Sequence, residues 1–280
     1  MRKHLSTCII VLIFLIGLSL LLYPTLSDYV NSRNQTRAIT EYDDKVSRLE
    51  KEQYEEILQK ARAYNENLAS HETNWKLSNE ELEEYNQILN VDNNGMMGYI
   101  EIPKLQCTLP VYHGTDEGTL QRNIGHLSGS SVPVGGESTH SVLSGHRGLP
   151  SAKLFTDLNL VEEGDIFYLH VLGKTLAYEV DQILTVLPEQ TESLGITDGD
   201  DYVTLVTCTP YAVNTHRLLV RGHRVPMKAA KAVQKTEKKV TGITNPTLPM
   251  LALCVVIGIV IAVLLVAGIN SVQNKKRRRK

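Results

Sequence analysis

Two long apolar stretches frame the chain. Residues 5–23 and 249–269 carry no charged side chain. Each stretch is long enough to cross the roughly 30 Å hydrocarbon core of a bilayer as an α-helix. We therefore predict two transmembrane helices, at 5–23 and 249–269. A cleaved signal peptide is the alternative for the first stretch, and a buried core helix is the alternative for the second.

Between these stretches the pattern is first helical. Apolar residues recur at steps of three and four over residues 34–68, which predicts one amphipathic helix without an interrupting Gly or Pro. Ser78 and Glu81 fit a capping box and predict a second, short helix that runs to about Leu89. We therefore expect residues 24–96 to form a helical region.

After Met97 the pattern changes to short runs of Val, Ile, Leu, Tyr and Thr that Gly and Pro separate. Such runs predict seven or eight strands in a closed or sandwiched antiparallel β architecture. The β-rich domain extends over 97–226, and only residues 152–158 within it have a helical pattern. A Lys-rich linker, 227–248, leads to the second apolar stretch. The predicted strands are 98–102, 108–112, 140–144, 165–171, 175–187, 202–207 and 218–225.

The charge of the chain is unevenly distributed. The 280 residues contain 29 Lys and Arg against 31 Asp and Glu. All the acidic residues and 21 of the basic ones lie in 24–247, which carries a net charge of −10. An acidic middle argues against a nucleic-acid partner, because phosphate binding needs a basic face. A hydrophobic fraction of 42% excludes wholesale disorder.

The basic residues at the two ends predict the membrane topology. Arg2 and Lys3 precede the first apolar stretch, and the tail 270–280 ends in KKRRRK. Basic flanks stay in the cytoplasm, so we expect residues 1–4 and 270–280 to be cytoplasmic. The middle of the chain is then extracytoplasmic, and the protein is a two-pass protein of the cell membrane with the lipid bilayer as a partner.

Two of the four cysteines lie outside the apolar stretches. Cys8 and Cys254 fall inside them, whereas Cys107 and Cys208 belong to the extracytoplasmic part. Two cysteines do not make a disulfide-rich pattern. One thiol could therefore be kept for chemistry, and a Cys107–Cys208 bridge is the alternative.

Three polar residues at strand ends form a candidate catalytic group. The predicted strand 202–207 ends at Cys208, and Arg217 opens the next strand after a short loop, so a hairpin would place the two side by side. A guanidinium favours the nucleophilic thiolate and offers donors to an oxyanion. His146 follows another strand in a glycine-flanked turn. Cys, His and Arg together suffice for acyl transfer, although a buried structural role is the alternative for Cys208.

The segments around these residues resemble a known family. TLVTCTPYAVNTHRLLVRGHR, with Cys208 and Arg217, and THSVLSGHRG, with His146, resemble the signatures of class C sortases, the pilin-polymerising cysteine transpeptidases of Gram-positive bacteria. The similarity extends to MGYIEIPKLQCTLPVYHGT (97–115) and to the C-terminal apolar stretch. It implies an eight-stranded β-barrel, with His146, Cys208 and Arg217 as catalytic residues and no metal or cofactor.

The resemblance also implies a reaction. Cys208 would cleave an LPxTG-like sorting signal between Thr and Gly through a thioester, and a Lys amine of the next pilin would resolve it as an isopeptide bond. The partners are then pilin subunits. A housekeeping sortase that attaches proteins to cell-wall peptide, a non-enzymatic adhesin with two anchors, and a cysteine L,D-transpeptidase are the competing interpretations.

One feature of the family is missing. Class C sortases usually carry a lid with an Asp-Pro-aromatic motif before the barrel, and residues 65–80 contain no such motif. We expect a lidless enzyme in which Trp75 lies on the surface or packs under a helix. The alternative is that Trp75 is a degenerate plug.

Overall fold

The computed structural model describes residues 2–71, 74–231 and Gly258. The described residues form four α-helices and eight β-strands. Three helices precede the strands, and the fourth lies between the second and third strands. The helices are α1 (Arg2–Ser47), α2 (Lys51–Ala69), α3 (Asn79–Gln87) and α4 (Glu117–Leu120). The strands are β1 (Met96–Ile102), β2 (Cys107–His113), β3 (Ile124–His126), β4 (Thr139–Ser144), β5 (Ile166–Val171), β6 (Lys174–Val186), β7 (Asp201–Thr209) and β8 (His216–Val225).

The strands close into a barrel in the order β1-β2-β3-β4-β7-β8-β6-β5. The pairs β2–β3 and β4–β7 are parallel, and the other neighbours are antiparallel. Closure leaves no free sheet edge for pairing with another chain. The eight-stranded barrel that the resemblance implied is confirmed, although it is not purely antiparallel.

The barrel interior follows the alternation of side chains along each strand. Val203 and Leu205 of β7 and Leu218 and Val220 of β8 point into the main core. Because successive side chains of a strand point to opposite faces, the residues between them point out of the barrel. This alternation places Cys208 and Arg217 on the outer face.

The helices pack on the barrel through buried polar anchors as well as apolar contacts. The Tyr42 hydroxyl of α1 donates to the Met97 carbonyl at 3.0 Å. The Asn65 side chain of α2 both donates to and accepts from the backbone of Val132, at 3.0 and 2.8 Å. The Tyr85 hydroxyl of α3 donates to the His126 carbonyl at 3.0 Å. Each helix is therefore fixed in register against a defined strand or loop.

Four elements differ from the prediction, and one of them is the short helix α4 (Glu117–Leu120), which was not predicted. The single helix predicted for 34–68 is two helices, because the chain turns at residues 48–50 and the backbone N–H of Glu50 donates to the Gln53 side chain, which starts α2. The three-residue strand β3 was missed. Residues 152–158 form turns that lead into a single 3-10 turn at Leu158–Leu160, since Ala152, Leu154 and Phe155 reach the core without a helix.

The capping box of the short helix is confirmed. Glu81 donates its backbone N–H to the Ser78 hydroxyl at 3.2 Å, and Ser78 donates its backbone N–H to the Glu81 carboxylate at 2.7 Å. These bonds satisfy two backbone donors that the start of a helix otherwise leaves free.

The chain divides into two units, one of residues 27–240 and one of residues 1–26 with 241–280. The barrel and the helices that pack on it belong to the unit of residues 27–240. In the other, the helical stretch that starts at Ile9 is long and apolar enough to cross a membrane, and its apolar side chains are exposed. An N-terminal membrane anchor fits this helix. The second predicted span, 249–269, lies outside the described residues apart from Gly258.

Candidate active site

The register of the barrel places Cys208 directly opposite Arg217. In the antiparallel pair β7–β8 the two residues are Cα partners. Both point to the outer face, because Thr207 and Leu218 beside them are buried toward the interior. Directly opposed side chains on one face of a sheet lie close enough to interact. The predicted pairing of Cys208 with Arg217 across the hairpin is therefore present in the strand register.

The parallel pair β4–β7 brings His146 to the same end of the sheet. Ser144 is the Cα partner of Val206, and the Gly145 N–H continues the ladder by donating to the Val206 carbonyl at 3.0 Å. His146 is the next residue and follows the strand end beside Cys208. The carboxyl ends of these parallel strands therefore place His146 and Cys208 at neighbouring backbone positions.

Gly145 is required by its surroundings. A Cβ atom at this position would lie 2.6 Å from the Ile124 side chain and 2.7 Å from the Phe155 ring. Its carbonyl accepts a hydrogen bond from the buried Thr207 hydroxyl at 2.7 Å. The chain can leave β4 this close to the core only without a side chain, and the bond from Thr207 then fixes the start of the turn that carries His146.

The imidazole of His146 is partly exposed and has an acidic neighbour. Its side chain is 28% exposed, and its Nε2 atom lies 3.8 Å from the carboxylate of Glu117, at the start of α4. That distance is too long for a hydrogen bond. Within the described residues the buried Nε2 atom has no hydrogen-bond partner. The imidazole therefore keeps this nitrogen free of competing bonds in the protein.

The guanidinium of Arg217 is anchored to its own loop. Its Nη1 atom donates to the Asn214 carbonyl at 3.3 Å and to the His216 carbonyl at 3.1 Å. Asn214 has a positive φ of 62°, so the loop before β8 bends sharply at this point. The two contacts use one end of the guanidinium, and a guanidinium carries five donors in total.

The two cysteines outside the apolar stretches are not bridged. Both Cys107 and Cys208 are free thiols, so the disulfide alternative is wrong. Cys107 packs against the main core, and burial raises the pKa of its thiol to about 11. Cys107 is therefore a protonated, poorly nucleophilic thiol at neutral pH. Of the two, Cys208 has the setting of a reactive residue.

Trp75 lies on the outer face of the barrel. It packs against an apolar cluster that includes Val206 and Leu219, two positions before Cys208 and two positions after Arg217 on the same outer face. The backbone beside it, at Asn74, passes close to Gly129. Trp75 is half-buried on the surface of the barrel, and the expectation of a lidless enzyme stays a prediction. The segment between α2 and α3, which contains Trp75, therefore packs on the outer face that also carries Cys208.

Three further residues around the site were not singled out from the sequence. Thr207 and Glu117 contact the turn with His146, as described above. Arg147 contacts the residue after Cys208, since its Nη1 atom donates to the Thr209 hydroxyl at 3.1 Å. Only Arg147 had a usable signal, because it stands next to His146 in the motif that carries the resemblance.

The arrangement supplies the parts that acyl transfer requires. It offers a thiol as nucleophile, an imidazole as proton donor and acceptor, and a fixed cation that can face an oxyanion. All three side chains come from adjacent strands at one end of the sheet. This is a cysteine-dependent transferase or hydrolase site by its chemistry.

Comparisons with known proteins agree with this chemistry. The family model described as the sortase domain matches residues 100–225. Sortase A of Bacillus anthracis is 26% identical over 238 residues, which cover 82% of this chain and 99% of the relative.

Solved structures show a stronger similarity. Sortase C1 of Streptococcus agalactiae is 53% identical with a TM-score of 0.66, and the match covers 68% of this chain and 98% of that one. Sortase C of Streptococcus pneumoniae is 46% identical with a TM-score of 0.59, with 68% of this chain and 97% of that chain covered. The barrel, the site and these similarities together show that the chain belongs to the sortase family of cysteine transpeptidases, with class C sortases among its structural relatives.

Proposed function

We propose that the protein cleaves an LPxTG-like sorting signal between Thr and Gly and joins the acyl group to a Lys amine of a pilin subunit. The observation that carries the proposal is the register that aligns His146, Cys208 and Arg217 on adjacent strands. The Cys208 thiolate attacks the Thr carbonyl. The carbonyl oxygen becomes an oxyanion that the guanidinium of Arg217 faces. When the tetrahedral species collapses, the C–N bond breaks and His146 protonates the leaving Gly amine.

The second half of the reaction reverses these roles. The neutral amine of a Lys side chain attacks the thioester carbonyl, and the C–S bond breaks as the isopeptide bond forms. Cys208 leaves as thiolate, and His146 accepts the proton that the amine loses. No metal or cofactor takes part in either half.

The pilin substrate is supported by the relatives of highest identity in the comparisons. The Streptococcus pneumoniae sortase C is described in terms of its pilin substrate specificity. The structures named sortase C or C1 are 40–53% identical to this chain, whereas the curated relatives named sortase A are 26–33% identical. One solved structure named sortase A, from Corynebacterium diphtheriae, is 46% identical. A housekeeping sortase that attaches surface proteins to cell-wall peptide is the second candidate, and the full-length similarity to the sortase A of Bacillus anthracis favours it.

A competition experiment separates the two candidates. The full-length protein in detergent is incubated with a pilin that carries both the sorting signal and the acceptor Lys, in the presence of an equal concentration of a wall-peptide amine. Pilin polymerisation predicts an SDS-resistant ladder that a Lys→Arg pilin variant does not form. Conversion of the pilin to a single wall-peptide adduct, without a ladder, would favour the housekeeping function.

We also propose that the protein crosses the membrane twice, at 5–23 and 249–269, with both termini in the cytoplasm. The exposed apolar stretch of α1 and the basic residues at both ends support this topology. Protease digestion of intact protoplasts tests it. We expect the barrel to be degraded while an epitope after KKRRRK stays protected. Loss of that epitope without lysis would contradict the two-pass topology.

A further inference from the structure

Arg147 connects the two halves of the candidate site. It directly follows His146, and its side chain reaches the residue that directly follows Cys208. Its Nη1 atom donates to the Thr209 hydroxyl at 3.1 Å, and its Nη2 atom donates to the Asn159 side chain at 2.8 Å. One planar guanidinium therefore joins the turn after β4, the end of β7 and the 3-10 turn Leu158–Leu160.

The same guanidinium contacts the loop between β7 and β8. Its central carbon lies 5.8 Å from the centre of the Tyr211 ring, a distance at which a cation and an aromatic face attract each other. The Tyr211 ring in turn packs on Gly148, where φ is +80° and a Cβ atom would lie 2.9 Å from the ring. The two loops that leave β4 and β7 therefore close on each other around Arg147.

Fold stability does not account for this arrangement. Arg221 and Arg224 of the same barrel pair with the carboxylates of Asp181 and Asp201. In the part of the chain that the structure describes, Arg147 has only neutral hydrogen-bond partners, and its buried Nε atom has none. A partly buried charge with neutral partners loses hydration that these bonds do not fully replace. The role of Arg147 then lies in the segments that its hydrogen bonds hold in position.

We propose that Arg147 is a positioning residue that fastens the turn carrying His146 to the strand end carrying Cys208 and so sets the separation of imidazole and thiol. This inference rests on the proposed function, because it takes these two side chains as the reacting pair. It assigns a role to the fork of the guanidinium rather than to its charge. Lys carries the same charge but cannot bond Thr209 and Asn159 at the same time in a fixed plane.

The test compares steady-state turnover of a fluorogenic LPxTG-like peptide by full-length variants. In Arg147→Gln and Arg147→Lys we expect kcat to fall about 10- to 100-fold with KM within about twofold, because a small misplacement of reacting groups lowers the rate of the chemical step. Thr209→Val removes one hydroxyl at nearly constant shape and should lower kcat about 3- to 10-fold. The double variant Arg147→Gln/Thr209→Val should be no slower than Arg147→Gln alone, since both changes break one contact.

Arg122→Gln is the matched control. Arg122 is exposed, and its replacement removes the same charge without touching either loop. We expect its kcat to stay within twofold of the parent protein. If Arg147→Gln does not fold, as judged by circular dichroism, Thr209→Val still decides, because an unchanged kcat in that variant overturns the proposal.

Other results would also overturn it. Near-normal turnover by Arg147→Lys would assign the effect to charge, and a change confined to KM would assign it to substrate binding. Cys208→Ala in the same assay separates a failure of the proposed function from a failure of the proposed role of Arg147. If Cys208→Ala still turns over, the proposed function is wrong; if it is inactive while the Arg147 variants are normal, only the role of Arg147 is wrong.

Discussion

Arg217 faces Cys208 across one rung of the barrel, and its guanidinium is fixed by two carbonyls of the preceding loop. Both bonds come from Nη1, so they leave the other donors of the guanidinium free for a substrate. An arginine that donates to a developing oxyanion contributes on the order of 2–4 kcal/mol to transition-state stabilisation. The geometry of the fork, and not only the charge, is therefore expected to matter.

The first prediction tests this role. Arg217→Lys keeps the positive charge but loses the two anchoring bonds and the fork, so kcat/KM should fall by roughly two to three orders of magnitude. Steady-state kinetics with the sorting peptide measures this loss. Arg122→Lys serves as the control and should be unaffected. Activity within threefold of the parent protein would reduce Arg217 to a general electrostatic role.

Among single residues, the sequence identified the three candidate catalytic side chains but not the residues that support them. Cys208 and Arg217 could be paired because a hairpin fixes the register of two consecutive strands. The contacts of Arg147 join it to Asn159 and Thr209, which lie 12 and 62 positions further along the chain. No local pattern encodes contacts of that kind, so they became visible only in the closed barrel.

The segment between α2 and α3, which contains Trp75, is the element whose position most directly affects access to the candidate site. Trp75 is only partly buried, and it packs on the outer face through the apolar cluster that includes Val206 and Leu219. If the peptide binds on this face, a side chain that rests there competes with it. The fraction of time it spends there lowers the apparent affinity of the site for a ligand.

The second prediction follows from that position. Trp75→Ala should accelerate the labelling of Cys208 by a bulky thiol reagent several-fold, whereas a small reagent should show little change. Leu82→Ala, at an exposed apolar residue of α3, is the control. Equal rates for Trp75→Ala and the parent protein, with the fold unchanged by circular dichroism, would contradict this prediction and support the lidless interpretation.

Elements were predictable where a local signal marks their ends. The Ser78–Glu81 capping box located α3, and the runs of β-branched residues located seven of the eight strands. The break at residues 48–50 has no Gly or Pro to mark it. The strand β3 is only three residues long and is defined by its neighbours β2 and β4. Residues 152–158 have a helical spacing of apolar residues, but the core contacts of Phe155 and Leu158 override it.

For the whole molecule, the buried imidazole of His126 links stability to pH. His126 is 0% exposed, its Nε2 lies 2.8 Å from the Ser131 carbonyl, and its Nδ1 lies 2.8 Å from the Tyr85 hydroxyl. In the neutral ring Nε2–H donates to Ser131, and Nδ1 accepts from the Tyr85 hydroxyl, which it shares with the His126 carbonyl. Burial lowers the pKa of His126 from 6.5 to about 3. Between these two pH values the unfolded chain binds a proton that the folded protein does not.

The third prediction is the sign and size of this linkage. Above about pH 6.5 His126 is neutral in both states and contributes no pH dependence. As the pH falls below 6.5, the free energy of unfolding should fall by up to about 1.4 kcal/mol per pH unit, or about 2 kcal/mol between pH 7 and pH 5. Urea unfolding followed by Trp75 fluorescence at both pH values measures the change.

His126→Gln provides the comparison for that prediction. Glutamine does not titrate, so the variant should be less stable than the parent protein at pH 7 but should lose about 2 kcal/mol less on transfer to pH 5. Any remaining pH dependence then belongs to other groups, such as His113 and His140, whose pKa values burial also lowers. Identical losses in the two proteins would show that His126 is not held neutral.

The covalent intermediate on Cys208 is the central claim, and mass spectrometry of the digested protein tests it most directly. The full-length protein is mixed with an LPxTG-like peptide without an acceptor amine, quenched in acid and digested. We predict an acyl adduct, ending at the Thr of the signal, on the peptide that contains Cys208. The adduct should form in Cys107→Ala and, in a smaller amount, in Arg217→Lys. It should disappear on addition of hydroxylamine, and it should be absent from Cys208→Ala. An adduct on any other residue, or cleavage of the signal by Cys208→Ala, would contradict the account.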